Sequence, residues 1–283
     1  MPLEHLIHNL NRQLVVDHGL DLPPLRFDGQ RVHGRFGDMS FTSDFKPIRL
    51  GHDPAVVSGH DAGPLRFTLA TVGAATERFL NGAMPDIVSL DRLSRTVHML
   101  NYLVLDRPAG SLFLHVHPHH VLAVKRDHGA YFEDIIHQCG LPLRRIVIGL
   151  SLGAAYQSQL PLLMERFRGY RERGYATALK FADEVGETFV ERFRRELLHR
   201  FAPDHVRFSA RFFADAYAGA GGQRRLAALL AAVRGADGQI LIDDIRTVGE
   251  AQRLAALRPE YVQGEWYERE AEPAAGPRLA AAG

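Results

Sequence analysis

Apolar residues recur along this chain with two different periods, and the change of period divides it. Leu3, Leu6, Ile7, Leu10 and Leu14 fall at helical spacing and predict an amphipathic helix over 3–17. Its apolar face is expected to dock on the helix's own domain, with a homodimer contact as the alternative. From 25 to 50, alternating residues around Gly29, Gly34 and Gly37 predict two or three short strands joined by turns. Beyond that, strand-like runs at 111–117, 145–150, 176–181, 205–208, 239–243 and 261–262 alternate with helical stretches of about 10–18 residues, the pattern of a parallel β/α sheet or barrel. Thr247 is placed to open the helix that follows 243. No repeat of fixed length is visible. The stretch from Glu270, EAEPAAGPRLAAAG, has almost nothing to bury, and residues 269–283 are expected to be a disordered tail.

Composition narrows the class. A chain of 283 residues, 46% of them hydrophobic, can bury one large core, and it falls in the size range of a single β/α barrel. With 34 basic against 33 acidic residues the net charge is +1, too small for a default attraction to nucleic acid or anionic lipid. A lone cysteine, Cys139, excludes a disulfide framework and a Cys-rich zinc site and fits a reducing compartment. The N-terminus lacks the basic region and cleavage site of a signal peptide, and no apolar window is long enough to span a bilayer. These features predict a soluble, cytoplasmic protein with no membrane insertion.

Candidate chemistry read from residues alone is sparse. His115-Val116-His117-Pro118-His119-His120 is the most metal-like run, because His115 and His117 on a strand share a face. With Asp243 they make a divergent metal-dependent hydrolase one alternative. Gly219-Ala220-Gly221-Gly222 lacks the strand before it and the Lys-Ser/Thr after it that a phosphate loop needs, and reads as a turn between helices. Residues 223–234 read as an outer helix of the barrel. Phe189, Phe193, Phe201, Phe208, Phe212 and Phe213 read as core, and Arg166, Arg168, Arg171 and Arg173 as a solvated face near a helix C-terminus. Cys139 has no paired residue that marks it as a nucleophile.

Taken in order, the strand ends carry a resemblance. Asp44-Phe45-Lys46-Pro47-Ile48 followed by Gly59-His60-Asp61-Ala62-Gly63-Pro64-Leu65-Arg66 resembles FQPI and GYEALLR of the EAL family, the cyclic di-GMP phosphodiesterases. Leu112-Phe113-Leu114-His115-Val116-His117-Pro118 resembles LFINLSP, and Ile146–Ser151 resembles the strand carrying EITE. Residues 170–181 resemble LRELGVRIALDDFG, Pro203–Ser209 resembles PDYLKID, and GQILIDD with the later Gln263-Gly264 resembles the closing AEGVET and QG. The resemblance covers residues 44–268 and implies an EAL-type (β/α)8, TIM-like barrel, with 1–43 as an added helix and strands.

It also implies a site whose chemistry has changed. Asp61 stands at the first metal-binding glutamate, with the register between His60 and Asp61 left open. His115 stands at the metal-binding asparagine, Gly149 at a ligating glutamate, Lys180 and Phe181 at the paired aspartates, Arg207 at the catalytic lysine, and Asp243 at the glutamate of AEGVET. Two-metal hydrolysis needs several hard oxygen ligands, and these positions offer two carboxylates and one imidazole. No metal or other cofactor is therefore expected, and Lys180 is expected to replace the metal by neutralising Asp61 and Asp243. The implied function is a catalytically inactive regulatory domain that binds a protein partner. The alternatives are a cyclic di-GMP receptor, using Lys46, Arg66, Arg207 and Gln263, and a metal-dependent hydrolase or residual phosphodiesterase requiring a divalent metal.

Overall fold

Alternation along each strand sorts the central side chains into an inner set and an outer set, and the outer set is the larger core. The computed structural model describes residues 3–18, 23–37, 39–63, 66–67, 87–105, 110–124, 129–182, 187–216 and 220–271. Twelve strands occur among them: β1 Leu25–Phe27, β2 Val32–Phe36, β3 Met39–Thr42, β4 Phe45–Leu50, β5 Val57–Ala62, β6 Arg66–Phe67, β7 Ser111–Val116, β8 Ile146–Leu152, β9 Ala176–Phe181, β10 His205–Ser209, β11 Gln239–Asp243 and β12 Tyr261–Val262. Eight of these close into a barrel in the order β4-β5-β7-β8-β9-β10-β11-β12.

The barrel departs from all-parallel expectation at one strand. β4 pairs antiparallel with both β5 and β12, while every other neighbour pair is parallel. The β4–β5 link is a hairpin, and no helix intervenes. Because β4 is reversed, its beginning lies at the same end of the barrel as the C-terminal ends of the other seven.

Inside the barrel, Ile48, Phe113, Val147, Ala178 and Leu241 form a small apolar layer. Below it His205 lies between the rings of Phe113 and Tyr261, with centroids 5.1 and 5.5 Å away. The alternate residues of the same strands, among them Leu114, Ile148, Leu179, Phe208 and Ile242, face outward into the main core under the helices. Those helices are α1 Leu3–His18, α2 Ile87–Val104, α3 Pro118–Ala123, α4 Ala130–Gln138, α5 Leu160–Glu172, α6 Glu187–Arg192, α7 Leu198–Phe201, α8 Ala210–Ala216, α9 Ala220–Gly235, α10 Val248–Ala255 and α11 Glu265–Ala271. Thr247 does open α10, through a capping box with Glu250. None of the described helices is long and apolar enough to cross a membrane.

The N-terminal segment builds its own layer. β1, β2, β3 and β6 form a four-stranded antiparallel sheet, and α1 adds Leu6, Ile7, Leu10 and Leu14 to the core. Arg66, expected in the barrel mouth, has its backbone in this sheet, where β6 pairs with β3 through Thr42. Helix α2 joins the sheet to the barrel. Asn101 on α2 accepts from the Val32 N–H at 2.8 Å and donates to the Val32 carbonyl at 2.7 Å, using its amide as an extra strand would.

Several local expectations are corrected. Gly221 and Gly222 lie in the first turn of α9 and not in a connecting turn. The arginines at the end of α5 are exposed or partly so, as a solvated face requires, but they are also bonded to neighbouring elements. Arg168 and Arg171 donate to the carbonyls of Arg200 and Phe201 at 3.2 and 3.0 Å, Arg166 to that of Leu122, and Arg173 pairs with Glu133 at 2.9 Å. Guanidinium forks at helix ends satisfy carbonyls that have no intrahelical partner, which sequence charge alone does not reveal. Of the tail, α11 continues helical through Ala271, and the rest lies outside the described residues.

Candidate functional site

The mouth of the barrel is a polar layer laid directly on the apolar one. Inward positions two residues beyond Ile48, Phe113, Val147, Ala178 and Leu241 are Lys46, His115, Gly149, Lys180 and Asp243, with the reversed β4 counted backwards. Asp61, Arg207 and Gln263 complete the layer from β5, β10 and the end of β12. Of the two residues His60 and Asp61, Asp61 lines the mouth, while the ring of His60 packs 5.9 Å from that of Tyr102 on α2.

Arg207 is the hub of the layer, and it is almost wholly buried. Its Nη2 donates to Asp61 Oδ2 at 2.6 Å and to Gln263 Oε1 at 2.6 Å, and its Nε donates to Asp243 Oδ2. Lys180 Nζ reaches the same Asp243 oxygen at 2.9 Å, and His115 Nε2 lies 2.8 Å from Asp61 Oδ1. Burial opposes ionisation of Asp61, yet the Arg207 guanidinium and the His115 imidazole outweigh it and hold the carboxyl well below the usual range. The same two carboxylates raise Arg207 above its ordinary value against the cost of its own burial.

This corrects the role expected of Lys180. It neutralises Asp243 alone, while Asp61 is met by Arg207 and His115. The expected ligand contacts of Arg207 and Gln263 are likewise spent inside the protein: Gln263 accepts from Arg207 and donates to the Lys46 carbonyl at 3.2 Å. Phe181 faces away from the mouth, stacked on Phe208 at 5.4 Å among Phe189, Phe193 and Phe212. Gly149 has an evident purpose, since a Cβ there would stand 3.0 Å from His115 Nδ1. The imidazole fills the space that a side chain on β8 would need. Gly264 at the rim has φ +154°, and a Cβ would fall 2.1 Å from the Ile245 carbonyl oxygen, so no other residue fits there.

The donor set does not fit a pair of divalent cations. Asp243 Oδ1 is a buried acceptor without a partner, which a cation would suit. However, Arg207 and Lys180 already hold its other oxygen, Asp61 is engaged at both oxygens, and Gly149 offers no ligand. Mg²⁺ or Mn²⁺ calls for about six oxygens. The alternative set of His115, His117 and Asp243 is not assembled either: His117 caps α3 by accepting from the His119 N–H at 3.2 Å, and its ring stacks on that of His119. Among the described residues, no group of three or more His, Cys, Asp or Glu is placed to hold a metal.

Above the layer opens a cleft of about 730 Å³. It is lined by the barrel mouth, including Lys46, and by Ser94 and His98 of α2, His117, and Tyr156 after β8. Sequence reasoning missed the α2 contribution. Asp91, buried on that helix, accepts from Arg95 and lies 2.8 Å from His120 Nδ1, while its other oxygen takes the His117 N–H at 2.9 Å. Burial works against its charge, but these partners lower its pKa to about 2. The spacing of Asp91, Arg95 and His98 along one helical face was the available signal.

No protein-family model matches the sequence, and no curated protein does. Solved structures do match. Klebsiella pneumoniae BlrP1, in a calcium and cyclic di-GMP complex, is 17% identical with a TM-score of 0.63, over 80% of this chain and 54% of its own. Bacillus subtilis YkuI, described as having an EAL domain in complex with substrate cyclic di-GMP and calcium, is 17% identical at TM-score 0.62, over 80% and 53%. A standalone EAL protein from Vibrio cholerae in its cyclic di-GMP-bound form is 16% identical at TM-score 0.59, over 80% and 90%. The present chain thus spans about half the length of the first two.

Proposed function

We propose, with the EAL-domain fold as premise, that this chain is a catalytically silent regulatory module of cyclic di-GMP-related signalling that works by binding a protein partner. The observation that carries the reading is Arg207, a buried cation held between Asp61 and Asp243. Arg207 together with Lys180 balances the two carboxylates permanently, which takes from them the role of holding metal ions that activate a water for attack on a phosphodiester. The partner-binding half rests on a general point, that a fold outlasts the chemistry once grafted on it. Cyclic di-GMP in the three similar structures supports the signalling context.

A second reading, a nucleotide receptor without hydrolysis, is favoured by the cleft itself, whose size falls within the range of small-molecule sites. Incubation with cyclic di-GMP and Mn²⁺ or Mg²⁺, followed by chromatography, is expected to return the nucleotide intact. Unfolding temperature is expected to be the same in Mn²⁺ and in EDTA. Linear dinucleotide formed in a metal-dependent way would sink the proposal.

A further inference from the structure

We infer that the outer face of the N-terminal sheet docks an acidic segment of a protein partner, with Arg26 and Arg35 receiving its carboxylates. The inference rests on the reading of this chain as a partner-binding module, and it supplies the surface and the chemistry such a module would use.

Strand alternation sorts this sheet as it sorts the barrel. Leu25, Val32 and Phe41 are buried in the main core, and Phe27, Phe36 and Met39 pack against it, so the phenylalanines of β1, β2 and β3 all belong to the inner face. The register Arg26↔His33 and Arg35↔Ser40 puts these four residues on the outer face. Arg26 and Arg35 are exposed there. Arg35 lies two residues beyond the residue opposite Arg26, a diagonal spacing of about 7–8 Å.

Among the described residues neither arginine forms an ion pair. Arg35 uses its Nε on the Gly37 carbonyl at 3.2 Å. The carboxylate of the β1–β2 turn, Asp28, is spent locally: Oδ1 accepts from the Gln30 and Arg31 N–H groups at 2.8 and 2.7 Å, and Oδ2 lies 2.7 Å from His33 Nε2. Those backbone N–H groups, and then His33, hold its carboxyl well below the usual range. Within β1, β2 and their turn, three arginines, Arg26, Arg31 and Arg35, thus meet one carboxylate. Like charges on neighbouring strands of one face repel, and a guanidinium fork binds a carboxylate through paired hydrogen bonds. An acidic segment relieves the repulsion and fills both forks.

The surroundings select the class of partner and its pose. Asn11 of α1 donates to the Leu25 carbonyl at 2.9 Å and accepts from the Leu25 N–H at 2.8 Å, so a strand added at the β1 edge finds that position taken. The segment must lie across the face. Single-stranded nucleic acid needs exposed rings for stacking, and the phenylalanines of these strands face inward. A membrane surface needs apolar side chains to insert, and Arg26, His33, Arg35 and Ser40 offer none.

Fluorescence anisotropy of the full chain at low salt tests this, with a labelled peptide of alternating glutamate and threonine as the probe. A labelled single-stranded oligonucleotide and, by co-sedimentation, phosphatidylserine vesicles stand for the other two classes. The peptide is expected to bind, and Arg26→Gln combined with Arg35→Gln to weaken it about tenfold at an unchanged unfolding temperature. Arg253→Gln, which removes an exposed guanidinium from α10, should leave binding as it was. No peptide binding, an equal loss in Arg253→Gln, or tighter binding of the oligonucleotide or vesicles overturns this inference alone. Metal-dependent cleavage of cyclic di-GMP by the same preparation overturns the catalytically silent reading beneath it, whatever the peptide does.

Discussion

Arg207 has two carboxylates within reach and is nearly excluded from water, and those facts decide what its loss would do. Removing one partner from a buried charge network leaves the others uncompensated, at a cost of about 3–5 kcal/mol. Arg207→Ala is therefore expected to lower stability by that amount in urea unfolding. It should also gain a property the native protein lacks: Mn²⁺ is expected to raise the unfolding temperature of the variant, because two facing carboxylates then compete for a cation. A variant as stable as the native chain, or insensitive to Mn²⁺, would contradict the account. The family resemblance read from the sequence already places Lys46, Asp61, His115, Lys180, Arg207 and Asp243 at strand ends that meet in one site. What it cannot say is which cation meets which anion. That depends on side-chain reach across the barrel, and the long guanidinium of Arg207 spans a gap that was assigned to Lys180.

At the level of single elements, α2 is the least typical piece. Asp91, Ser94, Arg95, His98 and Asn101 are all buried on it, because the accessory sheet and the barrel cover it from two sides. A buried polar stripe is tolerable only when its groups are paired, and Asn101 pairs both groups of Val32. Asn101→Ala is expected to cost about 1–3 kcal/mol and to speed hydrogen exchange at the Val32 amide, since that N–H loses its acceptor. Unchanged exchange there would show that α2 is not pinned by this contact. The helices and most strands are legible in the sequence as changes of period, from β9 at 176–181 to β11 at 239–243. The reversal of β4 and the departure of β6 into the accessory sheet are not. Period 2 states that a segment is extended, but it carries neither direction nor partner.

For the whole molecule the clearest lever is pH. His98 and His205 are both buried, and desolvation lowers each to a pKa of about 4. The neighbouring His115 and Arg95 add to the effect at His98 while Asp61 and Asp91 oppose it, and Asp204 opposes it at His205. Between about pH 4 and the ordinary histidine value of about 6.5 the unfolded chain thus binds more protons than the folded one. Stability should be complete above that window and fall as pH drops through it, by up to about 1.4 kcal/mol per pH unit for each histidine. Asp61 adds little in that window, because its share begins to be lost only as pH falls towards the ordinary carboxylate value of 3.8, and goes on being lost below it. Urea midpoints at pH 7 and pH 5 measure this, and equal midpoints would refute it.

The reversed first strand also fixes where the chain enters the barrel. Because β4 starts at the mouth, only Ser43 and Asp44 separate the end of β3 in the accessory sheet from the strand that carries Lys46. Ser43 lies 2.9 Å from His98 Nδ1, on a side chain that itself borders the cleft. A small tilt of the N-terminal sheet has almost no slack in which to dissipate, so whatever grips that sheet from outside also pulls on the rim.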